Sequence, residues 1–227
     1  MDVTPFDREA EYWMSKRGIP TALEPAIRPW LDRGLSALDL GCGGGRLAVA
    51  IAPHMGRVVG VDAAAELLQQ ASTAHPSIRF VRGDCLMDAT WTALGGPFDL
   101  ITSNCSIRRD YTPDLDRLAQ LCREHLAPGG GIALRIQGDQ DLASLLPQSV
   151  RTALLYSKDE VARAFAGFTD LSIDTDEYRQ RFSGEAYLRT FLARIGLPSD
   201  RITVKSRGVV VGVRSAWIVT GRRDSKN

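Results

Sequence analysis

Nine residues, Leu38-Asp39-Leu40-Gly41-Cys42-Gly43-Gly44-Gly45-Arg46, carry an apolar strand end into a glycine-dense turn, and the run 47–52 after them reads as the first turns of a helix. Glycine lets backbone take φ > 0 and approach a ligand closely, and a helix N-terminus presents free N–H groups. Strand, turn and helix together predict a site for a polar cofactor. Spacing narrows the cofactor. A dinucleotide fingerprint has glycines at its first, third and sixth positions, but here they fall at 41, 43 and 45, and the sixth position is Arg46. No Gly-Lys-Ser/Thr follows, so the turn is not a P-loop. Asp39, two residues before the first glycine, suits a cationic or hydroxyl-bearing group and would repel a phosphate. The expected ligand is a nucleoside that carries positive charge.

Other reactive side chains are sparse. Cys42, Cys85, Cys105 and Cys122 are widely spaced with no Cys-x-x-Cys pair, which argues against a zinc knuckle and a disulfide framework and for reduced thiols; no metal is expected. His54, His75 and His125 fall near predicted helix ends, where capping or solvation accounts for them.

Repeated β-α alternation must position these residues. Period-two apolar segments over 37–40, 57–61, 78–81, 98–102 and 131–136 read as strands. Helices are predicted after the glycine turn, over 63–74, and over 113–126 with Thr112 as cap and Pro113 at the first helical position. Such alternation implies a parallel sheet covered by helices, with ligands at the carboxyl ends of the strands. Beyond residue 137 the pattern changes. Ser157-Lys158-Asp159-Glu160 is a capping box opening a helix through Phe165, 169–182 alternates as a long strand, 183–195 looks helical, and 209–220 is a last strand. The segment 183–205 is expected to project from the sheet edge as an insertion or lid. At the N-terminus, 6–17 is helical in pattern with Tyr12 and Trp13 adjacent, so that 1–34 is expected to form a helical lid.

Composition sets the bounds. The chain has 227 residues and 44% hydrophobic content. That is enough for one domain burying roughly 70% of its unfolded surface. Lys plus Arg total 28 against 27 for Asp plus Glu, which leaves no polyelectrolyte footprint for nucleic acid or an acidic membrane surface. No apolar run approaches the ~18 residues of a membrane span, and the start lacks the basic and apolar regions of a signal peptide. The expectation is one cytoplasmic domain over 1–227, a monomer or homodimer, with no nucleic-acid or membrane partner.

The spaced elements from about residue 37 to 220 resemble class I S-adenosylmethionine-dependent methyltransferases. The turn Asp39-Leu40-Gly41-Cys42-Gly43-Gly44-Gly45 matches that family's first motif. The second strand ends in Val58-Val59-Gly60-Val61-Asp62, an acid placed to accept both ribose hydroxyls, with Ala63 following. Val81-Arg82-Gly83-Asp84-Cys85 ends the third strand, where family members use the acid for the adenine amino group and the next backbone N–H for the ring. The fourth strand leads to Asn104, under the methionine part of the cofactor, and Leu126-Ala127-Pro128-Gly129-Gly130-Gly131 matches the turn into the family's fifth strand. The resemblance implies a Rossmann-like α/β fold with a seven-stranded, mostly parallel sheet whose last strand is antiparallel. It also implies S-adenosyl-L-methionine as cofactor, S-adenosyl-L-homocysteine as product, and Asp39, Gly41, Cys42, Gly43, Arg46, Asp62, Ala63, Asp84, Cys85 and Asn104 at the cofactor.

Ser103-Asn104-Cys105-Ser106 and the late segment 191–198 are similar to the subgroup containing trans-aconitate methyltransferase and the malonyl-carrier methyltransferase of biotin synthesis, enzymes that esterify carboxylates. Ile107-Arg108-Arg109-Asp110-Tyr111 follows where those members carry an aromatic, so the substrate does not transfer with the resemblance. Methyl transfer from a sulfonium needs a general base only when the nucleophile is protonated. No histidine follows His125, which disfavours phenol methylation by a histidine base. A small-molecule carboxylate needs no base and suits Arg108, Arg109, Arg135, Arg179 and Arg181. Tyr111, Tyr156, Tyr178 and Tyr187 offer hydroxyls or cation–π contact to a sulfonium. Tyr178, Arg109 and Tyr12 are the catalytic candidates. Two other readings stay open at this point. One is a cyclase in which the cofactor's own amine attacks its side chain and releases methylthioadenosine, favoured by aromatics such as Tyr12 and Tyr178 near the sulfonium and Asp139 near the amine. The other is a non-catalytic binding or regulatory module.

Overall fold

The computed structural model describes residues 14, 18–143, 145–197 and 209–225. Seven strands, β1 (Ser36–Leu40), β2 (Arg57–Asp62), β3 (Arg79–Arg82), β4 (Phe98–Asn104), β5 (Leu126–Gln137), β6 (Thr169–Phe182) and β7 (Val210–Arg222), form one sheet in the order β3-β2-β1-β4-β5-β7-β6. The first five pair in parallel, and β7 runs antiparallel between β5 and β6. The strand order reverses between β1 and β4, and an open α/β sheet parts there to leave a crevice beyond its carboxyl ends.

Alternation along each strand builds two cores. Leu38, Leu40, Val59, Val61, Ile101 and Leu134 face one way and pack under α4 (Asp88–Leu94), α5 (Leu115–His125) and α7 (Lys158–Ala164) through Trp91, Leu118, Leu121 and Val161. Ala37, Val58, Leu100 and Ala133 face the other way, under α1 (Glu24–Ile27) and α2 (Arg46–Ile51), where Ile27, Leu47 and Ile51 cover them. Each such aliphatic side chain contributes roughly 1.5–3 kcal/mol on burial. The helix α3 (Ala65–Ala74) follows β2, and α6 (Gln148–Leu154) lies between β5 and α7. In α8 (Glu185–Arg194), Leu188, Phe191 and Leu192 recur at helical spacing and pack with Phe182, Leu142 and Val210, which fastens that helix to the far end of the β6–β7 hairpin.

The expected strands and the longer helices are present with shifted ends. The capping box forms as written: Ser157 Oγ accepts from Glu160 N at 3.3 Å, and Ser157 N donates to Glu160 Oε2 at 2.9 Å. The cap of α5 differs from expectation. Asp114, not Thr112, caps the helix, because its carboxylate accepts from Arg117 N at 2.8 Å while Thr112 is buried and its N–H is spent on Arg108 O. β5 starts five residues earlier than the alternation indicates, at Leu126, its ladder running on through the Pro-Gly turn. The short helices α4 and α6 had no clear sequence signature. Of the segment 1–34 expected to form a lid, residues 18–34 are described and pack on the sheet through Leu23, Ile27 and Trp30; before them only helical Met14 is described, whose Sδ would meet a Cβ on Gly44 at 2.5 Å, and Tyr12 lies outside the described residues. Residues 198–208 of the expected late insertion also lie outside them.

Candidate active site

At the crevice, β1 ends in the glycine turn, and the turn is held from three sides. Asp62, at the end of β2, accepts from Gly43 N and from Ala64 N, both at 2.8 Å. Asp39 reaches under the turn to accept from Ala48 N in α2 at 3.0 Å. Ser106, after β4, sits so close that a Cβ on Gly41 would stand 2.2 Å from its own Cβ. Gly41 and Gly43 have φ of 62° and 51°, a region that strains any residue with a side chain. The turn therefore offers bare backbone to the crevice.

A cavity of about 480 Å³ opens beside it. It brings together every residue the sequence assigns to the cofactor: Asp39, Gly41, Cys42, Gly43, Arg46, Asp62, Ala63, Asp84, Cys85 and Asn104. Asp84 Oδ1 accepts from Leu86 N at 2.9 Å, and the Cys85 carbonyl accepts from Trp91 Nε1 at 2.8 Å, so the loop after β3 is fixed with its edge toward the cavity. This donor and acceptor set fits S-adenosylmethionine. Bare glycine backbone admits close approach, Asp62 can accept from vicinal hydroxyls, and the Asp84 carboxylate with the Cys85 amide can pair with an adenine edge.

Electrostatics separate two regions. Asp39 is 2% exposed, and burial raises its carboxyl from the ordinary 3.8 to about 8, with the Ala48 N–H opposing and Asp62 reinforcing that rise. A cation beside it would restore its charge. Burial also pushes the Cys85 thiol up to about 12, and the Cys42 and Cys105 thiols upward, so these sulfurs stay protonated lining groups rather than nucleophiles. The half of the cavity beyond Asn104 is cationic. Arg135 is held by Asp176 (Nε 2.8 Å, Nη2 2.5 Å) and donates to Asn104 Oδ1 at 3.3 Å. Arg214 is clamped by fully buried Asp141 (Nε 2.8 Å, Nη2 3.1 Å), which also accepts from Ser215 N. Arg46 has its pKa lowered by burial and by repulsion from Arg135. No histidine lines the cavity among the described residues, and none of their His, Cys, Asp and Glu side chains gather in threes to hold a metal.

The catalytic candidates part company. Tyr178, on β6 opposite Arg214, lines the cavity and is 45% exposed. Arg109 does not line it. Its guanidinium donates to Glu160 Oε1 at 2.8 Å and lies over the Tyr156 ring, which ties it to the start of α7. The adjacent Arg108, expected as a carboxylate ligand, is 2% exposed and donates to Ile195 O (2.6 Å), Gly196 O (3.0 Å) and Asp110. It latches the C-terminal end of α8 to the loop after β4, where the helix dipole favours a cation. Arg179 and Arg181 are absent from the cavity lining. Arg214, Gln137 and Gln180 were missed, although β6 alternation already sets Tyr178 and Gln180 on one face, and the β6–β7 register adds Arg214.

Fold and crevice resemble those of class I S-adenosylmethionine-dependent methyltransferases, a class that takes its methyl group from S-adenosylmethionine. Residues 37–130 match the family model described as a methyltransferase domain. The chain is similar to trans-aconitate 2-methyltransferase of Deinococcus radiodurans, 33% identical over 135 residues, 58% of this chain and 47% of that one. Over 99 residues it is 33% identical to ubiquinone biosynthesis O-methyltransferase of Coxiella burnetii, 43% of this chain and 42% of that one. The matched region spans less than half the length of these curated relatives. Among solved structures, YcgJ of Bacillus subtilis superposes with a TM-score of 0.64 at 18% identity, covering 89% of this chain and 98% of that one. The N-methyltransferase NodS of Bradyrhizobium japonicum does so with 0.57 at 16% identity, covering 99% of each. At these identities the superpositions speak for the fold.

Proposed function

We propose that the chain transfers the methyl group of S-adenosylmethionine to the carboxylate of a small organic acid. The observation that carries this reading is the arginine-rich half of the cavity, where Arg46, Arg108, Arg135 and Arg214 line the wall and, among the described residues, no histidine does. A carboxylate is already a nucleophile at neutral pH and is drawn to guanidinium, whereas a phenol would need a base. The name of the Deinococcus relative, a trans-aconitate methyltransferase, supports an acid acceptor. When bound, the cofactor supplies an electrophilic methyl on a sulfonium. The protein's part is to hold the reactants. Glycine-turn backbone, Asp62 and Asp84 fix the nucleoside, Asp39 stabilises positive charge, and the arginine-lined wall draws in carboxylates and brings the acid oxygen into line through Arg214. Orientation of this kind is worth effective molarities of about 10⁵–10⁸ M. Phe191 and Ile195, from α8 and its end, close one wall against water. In this reading the chain is a single domain, with the wall formed by Phe191 and Ile195 as part of its late insertion.

The test is chromatography of cofactor-derived products from protein incubated with S-adenosylmethionine, with and without a panel of small mono- and dicarboxylic acids. Acid-dependent S-adenosylhomocysteine supports the proposal. Methylthioadenosine released without any acid would instead establish cyclisation of the cofactor.

A further inference from the structure

Arg108 lines the cavity but spends its guanidinium on Asp110, Ile195 O and Gly196 O; the cavity's other arginines sit at two levels of the sheet. Arg135 lies opposite Asn104 on β4 and opposite Ile218 on β7. Arg214 is on β7, opposite Tyr178 of β6 and four residues from Ile218, so its backbone lies about 14 Å further along the strand, with Cys105 and Tyr178 within electrostatic reach of both guanidiniums. Arg46 heads α2, directly after the glycine turn, where it lines the cavity and donates through Nε to Gly18 O at 2.9 Å. Each level is built separately. Asp176 and Asn104 orient Arg135, while Asp141, the Ser215 N–H and the Phe191 ring orient Arg214. Arg214 spends Nε and Nη2 on Asp141, and among the described residues no partner takes its Nη1. Tyr178 and Gln180 line the cavity beside it.

Asp84, Asp62, Gly41 and Asn104 line one cavity in turn, so an adenosine held by the two acids would have its amino-acid arm toward Asn104, where its carboxylate would need a cation. Resting on the acid-acceptor reading above, we infer that the cavity has two carboxylate subsites with separate duties. Arg135 with Arg46 holds the cofactor's own carboxylate, and Arg214 with Tyr178 and Gln180 selects the acceptor's. The acceptor is then a carboxylate that reaches from the outer rim, with its recognising guanidinium on β7 rather than on the loop after β4.

Calorimetric affinities separate these duties. The ligands are S-adenosylhomocysteine and its decarboxylated analogue S-adenosyl-3-thiopropylamine, titrated into the wild type, Arg135→Gln, Arg214→Gln and the charge-keeping Arg214→Lys, with circular dichroism confirming each fold. Loss of a charge-assisted bond predicts that Arg135→Gln weakens S-adenosylhomocysteine about 10- to 100-fold and leaves the decarboxylated analogue unchanged, while both Arg214 variants bind the two ligands as the wild type does. An S-adenosylhomocysteine loss in Arg214→Gln with none in Arg135→Gln overturns the assignment. In a second arm, malonate is titrated into the S-adenosylhomocysteine complex. Wild-type binding that falls at least tenfold in Arg214→Gln and is weakened by Tyr178→Phe supports the outer subsite, and equal malonate affinity in all variants refutes it. Malonate binding to no protein, with the first arm as predicted, removes the acid-acceptor reading and the outer subsite but leaves the cofactor subsite standing.

Discussion

Asp39 couples cofactor binding to pH. Its carboxyl is 2% exposed, accepts from Ala48 N at 3.0 Å, and is raised to about 8, chiefly by burial. With that value about 1% of the free protein carries ionised Asp39 at pH 6.0 and about 24% at pH 7.5. A ligand whose ammonium settles beside Asp39 binds the ionised form, so its apparent affinity follows that fraction. It tightens on the order of tenfold or more over this interval, roughly 2 kcal/mol. Calorimetry of S-adenosylhomocysteine in two buffers of different ionisation enthalpy reads both the affinity and the proton released on binding. Asp39→Asn is expected to bind with no such slope. A wild-type affinity flat within about twofold, or an Asp39→Asn variant with the same slope as the wild type, would refute the coupling. The sign for stability is the reverse. Because the folded pKa lies above the unfolded one, protonated Asp39 stabilises the free protein fully below pH 4, and this is lost as pH rises toward 8. The loss is about 1.4 kcal/mol per pH unit, or about 2 kcal/mol between pH 6.0 and 7.5, an increment that urea unfolding of Asp39→Asn should lack.

Three further outcomes follow from single contacts. Asp62→Ala removes the acceptor for Gly43 N and Ala64 N, and S-adenosylhomocysteine affinity should fall at least about tenfold by calorimetry. Arg108→Met leaves Asp110 and the carbonyls of Ile195 and Gly196 without their buried cation, so unfolding free energy should drop by about 3–5 kcal/mol and amide exchange should quicken first over 185–197. Arg109→Gln breaks the contact with Glu160 and should lower the melting temperature while leaving kcat/KM unchanged; a loss of kcat/KM with the fold intact would restore Arg109 as a substrate ligand.

The cofactor half of the site was legible because its chemistry sits at strand ends and in one turn, where local sequence fixes geometry. Asp39, Asp62, Asp84 and Asn104 each close a strand or follow it by no more than two residues, so naming the strand placed the residue. The acceptor half depends on long-range pairing. Arg214 reaches the cavity through a β6–β7 register and through Asp141, a residue 73 positions away, and no local pattern encodes either. Arg108 and Arg109 look alike in sequence, yet one latches α8 and the other ties down α7, because the loop after β4 turns both guanidiniums away from where a strand extension would aim them. The short helices α4 and α6 escaped notice because seven residues give too few turns for a helical period to emerge from the sequence.

The central claim is that a carboxylate oxygen attacks the methyl group. The direct measurement is mass spectrometry of the product formed from S-adenosylmethionine and a small organic acid whose carboxylate oxygens both carry a heavy isotope. The account predicts a methyl ester that keeps both labelled oxygens, formed in step with one S-adenosylhomocysteine per ester. A methyl group on carbon, nitrogen or an unlabelled hydroxyl, or an ester that has lost a label, would contradict it.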